Sequence, residues 1–252
     1  RSILLDARAD IIVYGMGEGP IVEIARRMAE GRWNDDAKKI PGTVEISRAR
    51  PEGFMILPDE EEVLSNKKSF LEMYCALYKN IASPLAQPSG KRFILHNPPW
   101  EMESEDLEKI HRLPFSREVH PFYGSSRIPA FEMIQNSLVS HRGCVSGCSF
   151  CSLALHQGRK IVSRSKDSIF EELEMIQAKS YFRGHITDIG GPSADMYDYR
   201  CKAEWKCARE SCLFPNICPN LVHNDERWVT LLGEAASKND IKLVTVGSGV
   251  RF

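Results

Sequence analysis

No apolar run in this 252-residue sequence approaches the ~20 consecutive residues that a membrane-spanning helix needs, so no membrane partner is expected. The chain also lacks an excess of either charge, with 33 basic side chains against 34 acidic ones and a formal net charge of −1. Proteins that coat nucleic-acid phosphates carry a basic surplus, and this sequence gives that class no support. Internal repeats and low-complexity segments are missing too, which excludes collagen-like and coiled-coil architectures. What remains is an ordinary globular composition, 42% hydrophobic and 27% charged, in a chain long enough for one or two cored domains.

The eight cysteines are informative through their placement. Only Cys75 stands alone, on an amphipathic stretch where it reads as a core residue. Cys144, Cys148 and Cys151 form one tight group, and Cys201, Cys207, Cys212 and Cys218 form another. A secreted disulfide framework is usually short and spreads its cysteines through the fold. Clusters of this kind favour metal or iron–sulfur ligation instead. Strand-like runs lie near both ends, and the first residue is Arg1 rather than Met. A bare strand leaves its ladder unpaired, so the sequence reads as a segment of a longer protein.

Hydrophobic periodicity predicts a strand over 9–14, a turn at Gly15-Met16-Gly17-Glu18-Gly19-Pro20 and a helix over 21–30, together one βα unit of a parallel sheet. A glycine loop before a helix offers N–H groups to an anion, although a tight βα turn is the simpler reading. An acidic stretch at 59–62, an amphipathic helix over 65–80 and proline-rich loops at 97–100 and 120–129 follow. From residue 128 the pattern is regular. A strand over 131–140 leads into the cysteine loop, and then comes a helix that Asp167 or Ser168 would cap, with Ser168-x-x-Glu171 as a capping box. A strand over 184–189 ends in Gly190-Gly191-Pro192. A cysteine-rich excursion, a helix over 225–237 and a strand over 241–246 complete the chain. The alternation predicts an α/β fold with a parallel sheet, whose chemistry gathers at the C-terminal ends of the strands. The loops 143–151, 190–193 and 247–249 all fall there.

Cys144-Val145-Ser146-Gly147-Cys148-Ser149-Phe150-Cys151 supplies three thiolates on one loop. That number suits three irons of a [4Fe–4S] cluster and leaves the fourth iron for an exogenous ligand. Zinc normally takes four protein ligands, so a zinc site would need His141 or His156 as well. Gly143 and Gly147 would let the backbone curl round the group.

This CxxxCxxC motif, with Phe150 before its third cysteine and a strand before the loop, resembles the radical S-adenosylmethionine (SAM) superfamily. The segments His141 to Cys151, His156-Gln157-Gly158-Arg159 and Ser163-Arg164-Ser165 resemble more closely the YgiQ-type (UPF0313) group of radical SAM proteins. So do Asn97-Pro98-Pro99, His120-Pro121-Phe122-Tyr123, Asp188 to Ala194 and Ser248-Gly249-Val250-Arg251.

The resemblance implies that Cys144, Cys148 and Cys151 bind a [4Fe–4S] cluster and that SAM completes it. Phe150 would lie near the adenine, and Gly190 and Gly191 would admit the methionyl group. Pro192 stands where the superfamily has an acidic residue, which leaves Asp188 and Asp195 as acids that could take its place. Arg164 and Ser165 match a post-motif Arg-Ser, with a capping or salt-bridge role as the alternative. The implied reaction is reductive cleavage of SAM to methionine and a 5′-deoxyadenosyl radical that abstracts a substrate hydrogen. A reductant such as flavodoxin or ferredoxin is the implied partner, and the cytoplasm the implied compartment.

The implied fold is part of a (βα)6-type partial TIM barrel. Residues 1–40 would be the remnant of a Rossmann-like N-terminal domain, 41–127 a connecting region, and 128–252 the first half of the barrel with a cysteine-rich insertion at 198–221. Related domains sometimes bind cobalamin, but the Asp-x-His-x-x-Gly loop of that site is absent from this sequence.

The second group, Cys201-x5-Cys207-x4-Cys212-x5-Cys218, satisfies either a structural zinc or an auxiliary [4Fe–4S] cluster. Unliganded or redox-paired thiols are a third possibility. His141, His156, His185 and His223 read as hydrogen-bonding structural residues, and Trp100 and Trp228 as packing anchors. The contrasting functional class is a zinc-stapled binding or scaffold protein without redox chemistry.

Overall fold

The computed structural model describes residues 2–33, 39–205, 207 and 209–250, so Arg251 of the Ser248–Arg251 segment lies outside the described residues. The chain forms two compact units, Arg1–Glu101 and Met102–Phe252.

In the first unit a five-stranded sheet runs in the order Ile11–Val13, Thr43–Ser47, Arg92–His96, Leu85–Ser89, Met55–Ile56. Its pairings are antiparallel except for Met55–Ile56, which runs parallel to Leu85–Ala86. The parallel βα unit predicted at the start is therefore not what forms. The helix does follow, at Glu18–Ala29, but the chain then returns directly alongside the first strand. The Tyr14 amide is tied to the Gly42 carbonyl at 2.9 Å. Leu4, Val44 and Ile94 make the small core, each under a tenth exposed.

A Cβ on Gly19 would fall 2.3 Å from the Trp100 ring. Close packing of that indole thus accounts for the glycine, with no anion needed. Asp59 caps Glu60–Ser65, and Asn66 caps Lys67–Lys79 through its side chain. Cys75 lies on the latter helix and is half-buried, short of the core position its pattern predicted.

The second unit contains two parallel pairs, Ser137–Val139 with Asp188–Gly190 and His185–Ile186 with Leu243–Val244. Helices Lys166–Gln177 and Asp225–Ala236 cover them. Ile169, Leu173 and Ile176 are fully buried on one face, as their spacing predicts, and each contributes roughly 1.5–3 kcal/mol of hydrophobic stabilisation. Trp228 joins this core as the anchor expected of it.

The predicted strand over 131–140 is shorter than its apolar content suggested. Pro129 opens a helix over Pro129–Ile134, where its fixed φ and missing N–H suit a first turn, and only Ser137–Val139 is extended. The run over 184–189 divides at Thr187 into His185–Ile186 and Asp188–Gly190. The cap of Lys166–Gln177 is Ser165, two or three residues before the predicted positions; its hydroxyl accepts from the Ser168 amide at 3.2 Å.

Candidate metal and cofactor site

The strand Ser137–Val139 feeds directly into the cysteine loop. His141–Arg142 pairs antiparallel with Val162–Ser163 and closes the loop at its base. Gly143 sits at φ +94°, and a Cβ there would lie 2.0 Å from the Lys160 carbonyl oxygen. Gly147 sits at φ +62°, with a notional Cβ 2.2 Å from the carbonyl oxygen of Glu210. No L side chain fits either place. Within the loop the Cys144 amide donates to Gly158 at 3.1 Å and the Cys151 amide to Cys148 at 3.1 Å. Cys144 is buried, Cys148 exposed and Cys151 half-buried, so the three thiols step from the interior to the surface.

Among the described residues, no three His, Cys, Asp or Glu side chains are already gathered as a metal cage. The donor set nevertheless fits an iron–sulfur cluster. Three soft thiols share one glycine-curled loop, and the two outer ones are accessible. Neither histidine offered as a fourth ligand strengthens the zinc reading of this loop. His156 lies on the helix Leu153–Gln157, and His141 is committed to the interior.

The His141 ring is completely buried, with Nδ1 2.9 Å from the Ser140 hydroxyl. Its Nε2 lies against Gly191, where a Cβ would stand 2.6 Å away, and makes no hydrogen bond of good geometry. Burial pushes this imidazole down to about 4, against weaker opposing effects of the Ser193 backbone and Asp195. Gly190 is also confined, since a Cβ would meet the Ser248 hydroxyl at 2.0 Å. At 191 protein atoms already demand glycine, since the His141 carbonyl also stands 2.7 Å from a notional Cβ, whereas at 190 the Ser248 side chain would have to turn away.

The two acids differ. Asp195 is buried and accepts from the Ser193 hydroxyl at 2.5 Å. Asp188 is half-buried and accepts from the Gly247 amide and the Ser248 hydroxyl, both at 3.0 Å, through one oxygen. Phe150 is 90% exposed. Arg164 and Ser165 divide the roles weighed for them: Ser165 caps the helix, while Arg164 is buried in an ion pair with Glu172 and bonds the Val139 carbonyl at 2.9 Å. Arg117 pairs with the same carboxylate. Burial, and then the neighbouring Arg117, lower the Arg164 guanidinium to about 10.

The second cysteine group packs onto the first. Cys212 and Cys218 are buried in one cluster with Cys144, Val145, Met196 and Tyr199. A cleft of about 430 Å³ lies elsewhere, lined by Lys166, Tyr197, Asp198 and residues of the last helix, and by none of the cysteines.

Residues 1–137 match the family described as Radical SAM N-terminal. The chain belongs to that family. Across its whole length it is 41% identical to a UPF0313 protein of Geobacter sulfurreducens, 38% to one of Fusobacterium nucleatum and 39% to one of Methanocella arvoryzae. It spans 43%, 45% and 44% of those relatives respectively, less than half of each. The UPF0313 resemblance of the 141–165 block is thereby borne out. In this radical SAM N-terminal chain, the sequence reading missed the junction of the two cysteine groups. Residues 145 and 212 are far apart along the chain, and neither carries a motif announcing the other. The demand for glycine at 147 was legible, but not that Glu210 imposes it.

Proposed function

We propose that this chain carries the cluster-binding part of a radical SAM enzyme. The observation that supports the reading most is the loop 143–151, with its three thiols and its two positions that admit only glycine. Cys144, Cys148 and Cys151 would hold a [4Fe–4S] cluster. A cluster held by these three thiols would supply the electron for reductive cleavage of the S–C5′ bond of SAM.

The chain's own residues orient and shield. Phe150 offers an exposed ring to the adenine, and the backbone at Gly190 and Gly191 receives the methionyl group. Asp188 is the accessible acid at that strand end and would face the ammonium, since Asp195 is buried on Ser193. Residues 128–252 would form the first half of a (βα)6-type barrel, for which the two parallel strand pairs speak. A flavodoxin- or ferredoxin-like reductant and a cytoplasmic setting go with this reading. Among the described residues no helix is long and apolar enough to cross a membrane.

The test is anaerobic reconstitution followed by iron and sulfide analysis and EPR of the reduced chain, with and without SAM. About four irons and four sulfides for this loop, with a spectrum altered by SAM and lost in Cys148→Ala, are expected. Failure to retain iron under these conditions, or a signal indifferent to SAM, would overturn the reading.

A further inference from the structure

We propose that Cys201, Cys207, Cys212 and Cys218 form a zinc site that staples the excursion 198–221 onto the cysteine loop 144–151. The inference stands on different residues from the radical SAM reading and does not depend on it.

The excursion has little regular structure to hold it. Among its described residues the only strands are Arg200–Cys201 and Leu221–Val222, which pair antiparallel and bring its two ends together. Next to this base the Leu221 amide bonds the Cys218 carbonyl at 2.9 Å, and the Cys218 amide bonds the Cys212 carbonyl at 2.7 Å. Three of the four cysteines are thus placed at the neck of one loop by backbone bonds alone. The fourth, Cys207, is held by Arg159, whose guanidinium donates to its sulfur at 3.4 Å.

Four soft thiols in one short loop, one of them receiving a hydrogen bond from the Arg159 guanidinium, make a donor set suited to a divalent soft-seeking ion. Zinc binding replaces thiol protons, which pass to water, with no change of oxidation state.

The excursion is tied closely to the cysteine loop it would be stapled to. Gly147 and the Glu210 carbonyl approach so closely that not even a methyl group fits between the two loops. The Cys212 amide is bonded to the Val145 carbonyl at 3.0 Å, and Cys212 and Cys218 are only 2% and 6% exposed. These ties fix the neck that carries Cys212 and Cys218, and four thiolates complete the tetrahedral shell of a single zinc ion.

The test begins with metal-free chain titrated with zinc and, as a spectroscopic probe, with cobalt(II). One zinc per chain is expected, and cobalt should give the absorption of tetrahedral thiolate coordination. The Cys144→Ala, Cys148→Ala, Cys151→Ala triple variant should keep that zinc, and serine at 201, 207, 212 and 218 should abolish it. Because the serine variant could fail to fold, wild-type chain is also alkylated with and without zinc and mapped by mass spectrometry. Zinc should protect Cys201, Cys207, Cys212 and Cys218 and leave Cys75 reactive. Loss of zinc in the triple alanine variant would overturn the proposal, as would iron and sulfide retained by that variant or unprotected thiols in the excursion. None of these results decides whether residues 144–151 bind a SAM-responsive cluster, which the EPR experiment reads separately.

Discussion

The amide of Cys212 donates to the carbonyl of Val145 at 3.0 Å, so a residue of the second cysteine group fixes the backbone between the first two cysteines of the other. Gly147, two residues further on, touches Glu210, two residues before Cys212. The two loops therefore run side by side, and a change in either is transmitted to the other through backbone rather than through flexible side chains.

Glycine substitutions will separate loop geometry from chain entropy. Gly143→Ala combines a φ of +94° with a Cβ 2.0 Å from Lys160 and should destabilise the chain by about 3 kcal/mol or more. Gly233→Ala, on the helix Asp225–Ala236 with nothing within 4 Å, should stabilise it by about 0.5–1 kcal/mol. Urea denaturation of both variants measures the difference, and equal effects would contradict the described loop.

The three proposed ligands should be equivalent for iron and unequal for stability. Cys148 is exposed, so Cys148→Ala should change the stability of the metal-free chain by less than ~0.5 kcal/mol. Cys144 is 8% exposed in a packed cluster, and Cys144→Ala should cost about 1 kcal/mol. Both variants should lose the reconstituted iron. Metal analysis beside denaturation of the metal-free chain checks the pair.

Glu172 holds two guanidiniums, the buried one of Arg164 and the half-buried one of Arg117. Glu172→Ala removes the carboxylate paired with both and should cost roughly 3–5 kcal/mol. A loss under ~1 kcal/mol in thermal or urea unfolding would mean that the network is looser than its burial indicates.

His141 makes stability depend on pH in a defined window. Its folded value is near 4, whereas an unfolded histidine titrates near 6.5. Below pH 6.5 the unfolded chain binds the extra proton, so stability falls as pH drops toward 4, by about 2 kcal/mol at pH 5. His141→Gln should flatten that part of the profile while leaving the pH 7–8 region parallel. Urea midpoints of wild type and variant at pH 5 and pH 7.5 provide the comparison.

The sequence made some elements plain and concealed others for physical reasons. Ile169, Leu173 and Ile176 were legible because a helix face repeats every three or four residues and their burial follows. The cysteine loop was legible because ligand spacing is local. The direction of the first strand was not, since the same apolar run suits a parallel or an antiparallel neighbour, and the partner strand Thr43–Ser47 lies some thirty residues away. Helix Pro129–Ile134 was hidden inside an apolar stretch too short to reveal its period. Ser165 was overlooked as the cap because Ser168-x-x-Glu171 offered a more conspicuous pattern nearby. The contacts of Gly191 with His141 and of Gly190 with Ser248 belong to no linear motif.

The parallel pairing of Leu138 with Ile189 has a consequence for synthesis. A ribosome that has just released Leu138 makes Cys144, Cys148 and Cys151 next, yet the partner strand follows only about fifty residues later. At roughly 5–20 residues per second that interval is on the order of 2–10 s. Three thiols thus emerge on a nascent chain before the strand that seats their loop exists, and the excursion bearing Glu210 and Cys212 comes later still. Any premature capture of metal by those thiols would occur on unfolded polypeptide, and the order of translation makes the lasting site one that is completed from its C-terminal side.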